Sequence, residues 1–427
     1  MGQINKIGWK TAASLVIANM VGTGVFTSLG FQVLDSQNTW SILLLWLIGG
    51  VLALVGAFVY AELGTHFKQS GGDYVFLSKT LHQSLGYLYA WISLTVGFSA
   101  PIAIAAMAMI QYWSPLIGED SSLVMGIAAI LLMGTFHSFS VRQSGTVQNV
   151  LTGIKMAFVF ALIGLGMLLA SAVPDVGLDF SSNWQKEILQ PGFAVSLVYV
   201  FYAYTGWNSA AYIVEEIEQP SKNLPKALIS GTVLVMVLYL LLQLVFLKHA
   251  SIAQLSGQVQ VATISFGNLF GSMGVFWVSL FIGIQLVATI SGYTWVGPRI
   301  TNAMAKDFRL WRPLAKTNQK GIPVRAIWFN TAIALALMFS GSFETVLLYA
   351  GFVLQLMGTL TIAASLRLPK HSGFRSPWKP WPQVIYILFS LWVMAFMLYD
   401  RPKESLLGLG IILLGYIVYL FDRKTIK

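Results

Sequence analysis

Residues 10–34 read KTAASLVIANMVGTGVFTSLGFQVL, an apolar run long enough to cross a bilayer that Gly22-Thr23-Gly24 interrupts at its centre. A second interruption, Thr205-Gly206, lies inside the apolar run 192–216. The interrupted runs are the first and the sixth of the chain, which is the spacing expected of two inverted five-helix repeats. The pair of breaks therefore predicts an all-α membrane protein with a 5+5 inverted repeat.

A broken helix inside a membrane exposes N–H groups at one half and C=O groups at the other, and these must face a cavity or a ligand. The positive and negative ends of the half-helices suit the carboxylate and the ammonium of a zwitterion. The alternative is that these glycines only permit close helix packing. Two sets of backbone groups are predicted to bind the substrate. The N–H groups near Thr23, Gly24 and Val25 would bind its carboxylate, and the carbonyls near Tyr202, Ala203 and Thr205 would bind its ammonium.

The composition supports a chain embedded in lipid. Of its 427 residues 56% are hydrophobic and only 10% are charged. Runs able to span a bilayer predict twelve transmembrane helices. These lie at about 10–34, 40–66, 84–113, 122–140, 146–172, 192–216, 227–247, 273–298, 323–340, 345–366, 383–399 and 405–421.

The net charge of +10 follows membrane topology and does not indicate nucleic-acid binding. With the amino terminus inside, the basic residues concentrate on the cytoplasmic side, and only Lys186, Lys248, Arg401 and Lys403 fall outside. We therefore expect a multi-pass protein of the plasma or inner membrane with both termini in the cytoplasm.

The residues that carry enzyme and metal chemistry are scarce. Cysteine is absent, so a disulfide, a thiolate nucleophile and a Cys-type metal site are excluded. The five histidines are scattered near predicted helix ends. The sequence predicts neither an enzyme nor a bound cofactor or metal.

Lys155 is an ionisable residue in the apolar stretch 147–169, where a charge is costly and usually functional. Gln148, Thr152 and Lys155 are spaced by four and three residues and share one helix face, which we expect to point away from lipid. The alternative is a lysine that extends its ammonium to the nearer membrane interface.

Several motifs together resemble the amino acid–polyamine–organocation superfamily, and within it the L-type amino acid transporters. The resemblance runs from the first to the eighth helix, and beyond about residue 340 only hydropathy supports it. The motifs are GTGVF at 22–26, AELG at 61–64, SGGDY at 70–74, WN at 207–208, EEI at 215–217, PSKNLPKA at 220–227, GPR at 297–299 and AMAKD at 303–307.

This resemblance implies the LeuT-like fold. Residues 1–172 would form the first inverted repeat, with helix 1 broken at 22–24. Residues 190–366 would form the second, with helix 6 broken near 203–206. Residues 380–427 would supply two peripheral helices and a short cytoplasmic tail.

The resemblance also implies a role for Lys155. Sodium-coupled relatives of the fold hold an ion between helices 1 and 8, and sodium-independent members place a lysine of helix 5 there. Lys155 matches that lysine. Its expected partners are the carbonyls of Ala18 and Val21 and the hydroxyl of Thr289.

The resemblance and the residues around the breaks predict the determinants of selectivity. Tyr202 is the expected aromatic gate over the substrate, and Ser99 and Tyr293 are candidate wall residues. Asn208 is expected to couple helix 6 to its neighbours. Ordinary packing is the alternative for each. Because no charged residue except Lys155 lies near mid-membrane, we expect a neutral L-amino acid as substrate.

We therefore predict sodium-independent, alternating-access transport of neutral amino acids, with the chain acting as an exchanger (antiporter). Two alternatives stay open, a proton-coupled symporter and, from another class, an amino acid-sensing receptor. Eukaryotic L-type transporters are linked to a heavy subunit through a cysteine between helices 3 and 4. Here residues 114–120 read SPLIGED, so we expect a prokaryotic protein that has no disulfide-linked partner.

Overall fold

The computed structural model describes residues 6–139, 141–171, 178–181, 183–369 and 373–423. Within these ranges the structure consists of helices and short connections, with no β-strand. In chain order the α-helices are α1 (Trp9–Met20), α2 (Thr23–Gln32), α3 (Thr39–Phe67), α4 (Asp73–Thr80), α5 (Gln83–Ile92), α6 (Ser99–Ile117), α7 (Glu119–His137), α8 (Val141–Leu168), α9 (Trp184–Glu187), α10 (Pro191–Tyr204), α11 (Pro220–His249), α12 (Ile252–Leu255), α13 (Val261–Asp307), α14 (Val324–Met338), α15 (Phe343–Ser365), α16 (Trp381–Asp400) and α17 (Pro402–Arg423).

Nine helical segments in the described ranges are long and apolar enough to cross a membrane. They coincide with all the predicted runs except the fifth, sixth and ninth, which fall on α8, α10 and α14. The predicted all-α membrane fold is confirmed. The division into repeats at 1–172, 190–366 and 380–427 stays a prediction, and residues 1–5, 172 and 424–427 lie outside the described ranges.

The first helix break falls at Val21 and Gly22. Helix α1 ends at Met20, and Gly22 has φ −134° and ψ −147°, so the helical hydrogen-bond ladder stops before α2 begins at Thr23. Gly22, as N-cap, provides no side-chain hydrogen bond to the first turn of α2. The amino-terminal N–H groups of α2 therefore lack the usual side-chain cap.

The second break follows Tyr204, the last residue of α10. Gly206 has a φ of +103°, which favours glycine, and a β-carbon there would lie 2.7 Å from the carbonyl carbon of Asn19. The chain then continues as a 3₁₀ helix, Ser209–Glu216. Gly206 thus permits both the turn and the close approach of the two broken helices.

The broken helices lie at the centre of the bundle. Helix α1 packs against α11, α2 packs against α10, and α13 contacts α2, α6 and α8. Helix α13 changes direction at Gly271, which has a φ of +58°. The outward faces of α16 and α17 are largely exposed and apolar, as expected of peripheral helices that contact lipid.

Candidate functional site

Lys155 reaches the first helix break from α8. Its ammonium donates to the carbonyl of Val21 at 2.6 Å, to the carbonyl of Ala18 at 3.4 Å and to the hydroxyl of Thr289 at 3.3 Å. These are the three partners named from the sequence. The side chain is 1% exposed and does not extend to a membrane interface.

The oxygen atoms that accept from Lys155 favour its positive charge and oppose the cost of burying it. The carbonyls of Ala18 and Val21 belong to the carboxyl-terminal end of α1, where the helix dipole is negative. Thr289 donates its own proton to the carbonyl of Gln285 at 3.2 Å, which leaves its oxygen to accept from Lys155. Lys155 thus connects α1, α8 and α13. The side chain of Gln148, which we expected on the same helix face as Lys155, lies outside the described residues.

The two broken helices cross in direct contact at Gly24. A β-carbon on Gly24 would lie 2.4 Å from the Cα atom and 2.6 Å from the β-carbon of Ala203. At Gly22 a β-carbon would have its nearest neighbour, a methyl group of Thr289, at 3.6 Å. Only the second glycine of the motif is therefore required by the helix crossing, and Gly24 has a packing role in this conformation.

Tyr239, on α11, joins the two breaks, and no motif or local pattern pointed to it. Its hydroxyl lies 2.6 Å from the carbonyl of Met20 and 3.0 Å from the carbonyl of Ala203. The first carbonyl ends α1 and the second lies one residue before the end of α10. A single hydroxyl thus lies within hydrogen-bond distance of the carboxyl-terminal ends of both half-helices.

Two of the three carbonyls expected to bind an ammonium already accept hydrogen bonds. The carbonyl of Tyr202 accepts from the amide and the hydroxyl of Thr205, at 3.0 and 2.7 Å. The carbonyl of Ala203 accepts from Tyr239. A carbonyl oxygen has two lone pairs, so a ligand ammonium would share these acceptors with the protein's own donors.

Two cavities adjoin the breaks. The smaller, of about 10 Å³, lies between them and is lined by Gly22, Thr23, Gly24 and Ala203. The larger, of about 110 Å³, is lined by Trp207 and Asn208, which follow α10, and by residues of α3, α5, α13 and α15. Asn19, Tyr202, Thr205 and Tyr293 line both cavities. Tyr202 and Tyr293 thus separate the space at the breaks from the larger cavity, in positions that suit a gate and a wall.

Two other predicted site residues do not line either cavity. Ser99 is fully buried, and its hydroxyl donates to the carbonyls of Leu94 at 2.9 Å and Asn330 at 3.4 Å. Val25 is also fully buried, and its carbonyl accepts from Gln243 at 3.4 Å. In this conformation Ser99 is a packing residue that joins α6 to α14, and Val25 packs beneath the break.

Asn208 links the 3₁₀ segment to a buried polar cluster. Its side-chain amide donates to the hydroxyl of Tyr212 at 3.2 Å, and Tyr212 donates to the carboxylate of Asp73 at 2.6 Å. Tyr60 and Thr361 also donate to Asp73. Burial raises the pKa of Asp73, and the hydrogen bonds from the two tyrosines oppose that rise. The cluster ties α3, α4 and α15 to the segment that follows the second break.

The sequence of the chain is similar to those of known amino acid transporters. A family model described as amino acid permease matches residues 7–421. The chain is 27% identical to the large neutral amino acids transporter small subunit 2 of Rattus norvegicus, over 97% of this chain and 80% of the relative. It is 26% identical to the b(0,+)-type amino acid transporter 1 of Mus musculus, over 97% of this chain and 87% of the relative.

Proposed function

Because the chain belongs to the amino acid permease family of the amino acid–polyamine–organocation superfamily, we propose that it moves neutral L-amino acids across the membrane by sodium-independent exchange. The observation that carries the proposal is the ammonium of Lys155 between the end of α1 and Thr289 of α13. An ammonium there supplies the positive charge that a bound metal cation would otherwise supply.

The coordination of Lys155 supports sodium independence. A sodium ion binds to carbonyl and hydroxyl oxygens, and Lys155 already engages two carbonyls and one hydroxyl. A second cation at the same oxygens would meet an adjacent positive charge. We propose that the lysine holds α1 against α13 throughout the cycle without a coupling ion.

The broken helices support a zwitterionic substrate. The uncapped start of α2 offers N–H groups to a carboxylate near Thr23 and Gly24, and the end of α10 offers carbonyls to an ammonium. The residues described as lining the two cavities include no charged side chain. A charged substrate side chain would therefore be unpaired, which favours a neutral amino acid. Tyr202 would move aside to admit it.

The assembly and orientation are also proposals. A chain without cysteine cannot form a disulfide, so we propose that it works without a covalently attached heavy subunit. The distribution of basic residues favours a cell membrane location with both termini in the cytoplasm. Purified chain alone should then transport. Recovery of transport only when a second subunit is added would overturn this part.

Counterflow in proteoliposomes tests the mechanism. Purified chain is reconstituted into vesicles that are empty or preloaded with unlabelled neutral amino acid, and uptake of labelled amino acid is followed while sodium and pH gradients are varied separately. Exchange predicts uptake that requires preloading and is indifferent to both gradients. Uptake that requires an inward sodium gradient would overturn the proposal.

A proton-coupled symporter is the second candidate. It is favoured by one observation, that Lys155 forms no ion pair with a carboxylate among the described residues. Such a lysine can lose its proton without leaving an unpaired anion buried. Accumulation in empty vesicles driven by an inward proton gradient alone would favour this candidate over exchange.

Competition with substrate analogues tests the zwitterion site. Methyl esters lack the carboxylate that the start of α2 would bind, so they should compete with the free amino acid at least about tenfold more weakly. Amines without a carboxylate should behave in the same way. An ester that displaces substrate as well as the free acid would show that the carboxylate does not bind at the helix break.

A further inference from the structure

A basic cavity of about 250 Å³ lies between α7, α13 and α14, apart from the proposed transport site. Trp295, Arg299, Asn302 and Lys306 line it from α13 at spacings of four, three and four residues, so they share one face of that helix. Tyr293, which lines the central cavity, belongs to a different face. The cavity is therefore a separate feature with its own chemistry.

Two side chains of this cavity carry hydrogen-bond donors that have no acceptor among the described residues. Arg299 places its guanidinium 4.8 Å from the centre of the Trp295 ring and has no hydrogen bond or ion pair with the residues that the structure describes. The indole N–H of Trp295 is buried and also lacks a partner there. Donors left unpaired at a buried site are costly, so the site favours a ligand rich in acceptor oxygens.

The charges around the cavity are unbalanced. Its described lining contains Arg299 and Lys306 and no carboxylate. Glu216 is close enough to interact electrostatically with Arg299, but the two form no ion pair within 4.0 Å. Asp307, next to Lys306, accepts the hydroxyl of Tyr74. The positive charge of the cavity is thus left for an external anion.

The remaining lining residues shape the site. His137 bonds to the hydroxyl of Ser291 at 2.9 Å and stacks on Trp295, with ring centres 6.4 Å apart and planes within 10°. The ring of Trp295 therefore stacks on an imidazole and lies within cation–π distance of a guanidinium. Asn302 donates to the carbonyl of Leu314 at 3.0 Å, which ties the connection after α13 to the same helix face.

We infer that this cavity binds the phosphate group of an anionic ligand. A planar guanidinium binds phosphate through two parallel hydrogen bonds, and a neighbouring lysine adds a second charge. The helices beside the cavity carry exposed apolar side chains, among them Leu132 on α7 at 61% and Trp328 on α14 at 40%. Basic pockets between helices at a cytoplasmic membrane edge bind lipid headgroups, so an anionic phospholipid and free phosphate are the two sources of this group.

Thermal unfolding of the purified full chain in detergent tests the inference, with tryptophan fluorescence as the readout. The ligands are phosphatidylglycerol, phosphatidylcholine with the same acyl chains, and inorganic phosphate. The variants are Arg299→Gln and Lys306→Gln. Lys222→Gln is the matched control, because Lys222 is another exposed lysine on the predicted cytoplasmic side that does not line this cavity. Native mass spectrometry counts the lipids that each variant retains.

Phosphatidylglycerol should raise Tm more than phosphatidylcholine. Its apparent affinity should fall about tenfold in Arg299→Gln and Lys306→Gln and stay unchanged in Lys222→Gln. Because Lys306 is exposed, Lys306→Gln should fold, and it tests the inference if Arg299→Gln does not fold. Stabilisation by inorganic phosphate that requires Lys306 would identify a free anion as the ligand. Equal binding of both lipids, or full affinity in Lys306→Gln with every anionic ligand, would overturn the inference.

Discussion

Lys155 and Lys248 each cap the carboxyl-terminal end of a helix, and they do so in different surroundings. Lys155 donates to the carbonyls of Ala18 and Val21 at the end of α1 and to a hydroxyl of α13. Lys248 donates to the carbonyls of Gly166, Met167 and Leu169 at the end of α8, at 3.2, 2.9 and 2.7 Å. The helix that carries Lys155 is thus itself capped by Lys248.

The two lysines differ in the surroundings of the helix end that each one caps. Helix α8 ends near the surface, where water can replace the half-buried ammonium of Lys248. Helix α1 ends at the centre of the bundle, where Lys155 is 1% exposed and connects three helices. The same capping chemistry is therefore replaceable at the surface, and we propose that it is essential for transport where the helix is interrupted.

The strongest test of the comparison is to remove each ammonium in turn. Lys155→Ala leaves two buried carbonyls and the Thr289 oxygen without their donor, at about 1–3 kcal/mol per group. Exchange in proteoliposomes should fall about 100-fold. Lys248→Ala should lower exchange less than about twofold, because water reaches its acceptors.

Size-exclusion chromatography of both variants serves as the control for folding. The comparison fails if Lys155→Ala is folded and exchanges at the wild-type rate at every pH tested. It also fails if the two variants are equally slow, because that result would mean that any capped helix end matters.

A second test alters the helix break that Lys155 holds. Gly24→Ala would put a β-carbon 2.4 Å from the Cα atom of Ala203, so one backbone must shift. Overpacking of this kind costs about 1–3 kcal/mol, and we expect exchange to fall about 30-fold. Gly22→Ala meets its nearest atom at 3.6 Å and should stay within about threefold of wild type. Similar rates for the two variants would indicate that the crossing at Gly24 opens during transport.

A third test removes the hydroxyl that joins the breaks. Tyr239→Phe deprives the carbonyls of Met20 and Ala203 of their donor, and a lost buried hydrogen bond costs about 1–1.5 kcal/mol. We expect exchange to fall about tenfold. Tyr204→Phe is the matched control, because its hydroxyl donates to Trp46 at 3.0 Å on an intact helix. Equal losses would show that the effect comes from general packing.

The smallest effect is expected on the α13 side of Lys155. Thr289→Val keeps the shape of the side chain and removes the hydroxyl, while both carbonyl contacts of the ammonium stay in place. Exchange should fall about threefold to tenfold. Thr301→Val, on the same helix but away from Lys155, should have less effect. If Thr289→Val is as slow as Lys155→Ala, the hydroxyl contributes more than the two carbonyls together.

The positions of the helices and of both breaks could be predicted because hydropathy and glycine act locally. The contacts of Lys155 could also be named, but only through the resemblance to the superfamily, which implies a lysine at the site between helices 1 and 8. Tyr239 could not be found in this way, because one tyrosine in the apolar run 227–247 looks like any other aromatic residue. Its role depends on the packing of α11 against α1, which no local pattern encodes.

Other features depended on tertiary structure in the same manner. Glu62 of α3 has a carboxylate that is 2% exposed and bonds to Lys379 at 3.0 Å, a long-range contact that no local pattern encodes. The π-helical turn Ser93–Gly97 had no recognised signal inside the predicted run 84–113, and the helix that changes direction at Gly271 begins before the predicted run 273–298. Ser99 was expected at a cavity wall and instead bonds to Asn330 of α14.

The hydroxyl of Tyr239 has only one proton to share between the two carbonyls it faces. At any instant it donates to Met20, at 2.6 Å, or to Ala203, at 3.0 Å, and not to both. If one half-helix tilts away, the proton can turn to the other carbonyl, so the count of hydrogen bonds is unchanged. A motion of either broken helix would then exchange one hydrogen bond for another of similar strength. The positions of the half-helix before and after the motion would therefore be close in energy. A small ligand could then decide which of them is populated.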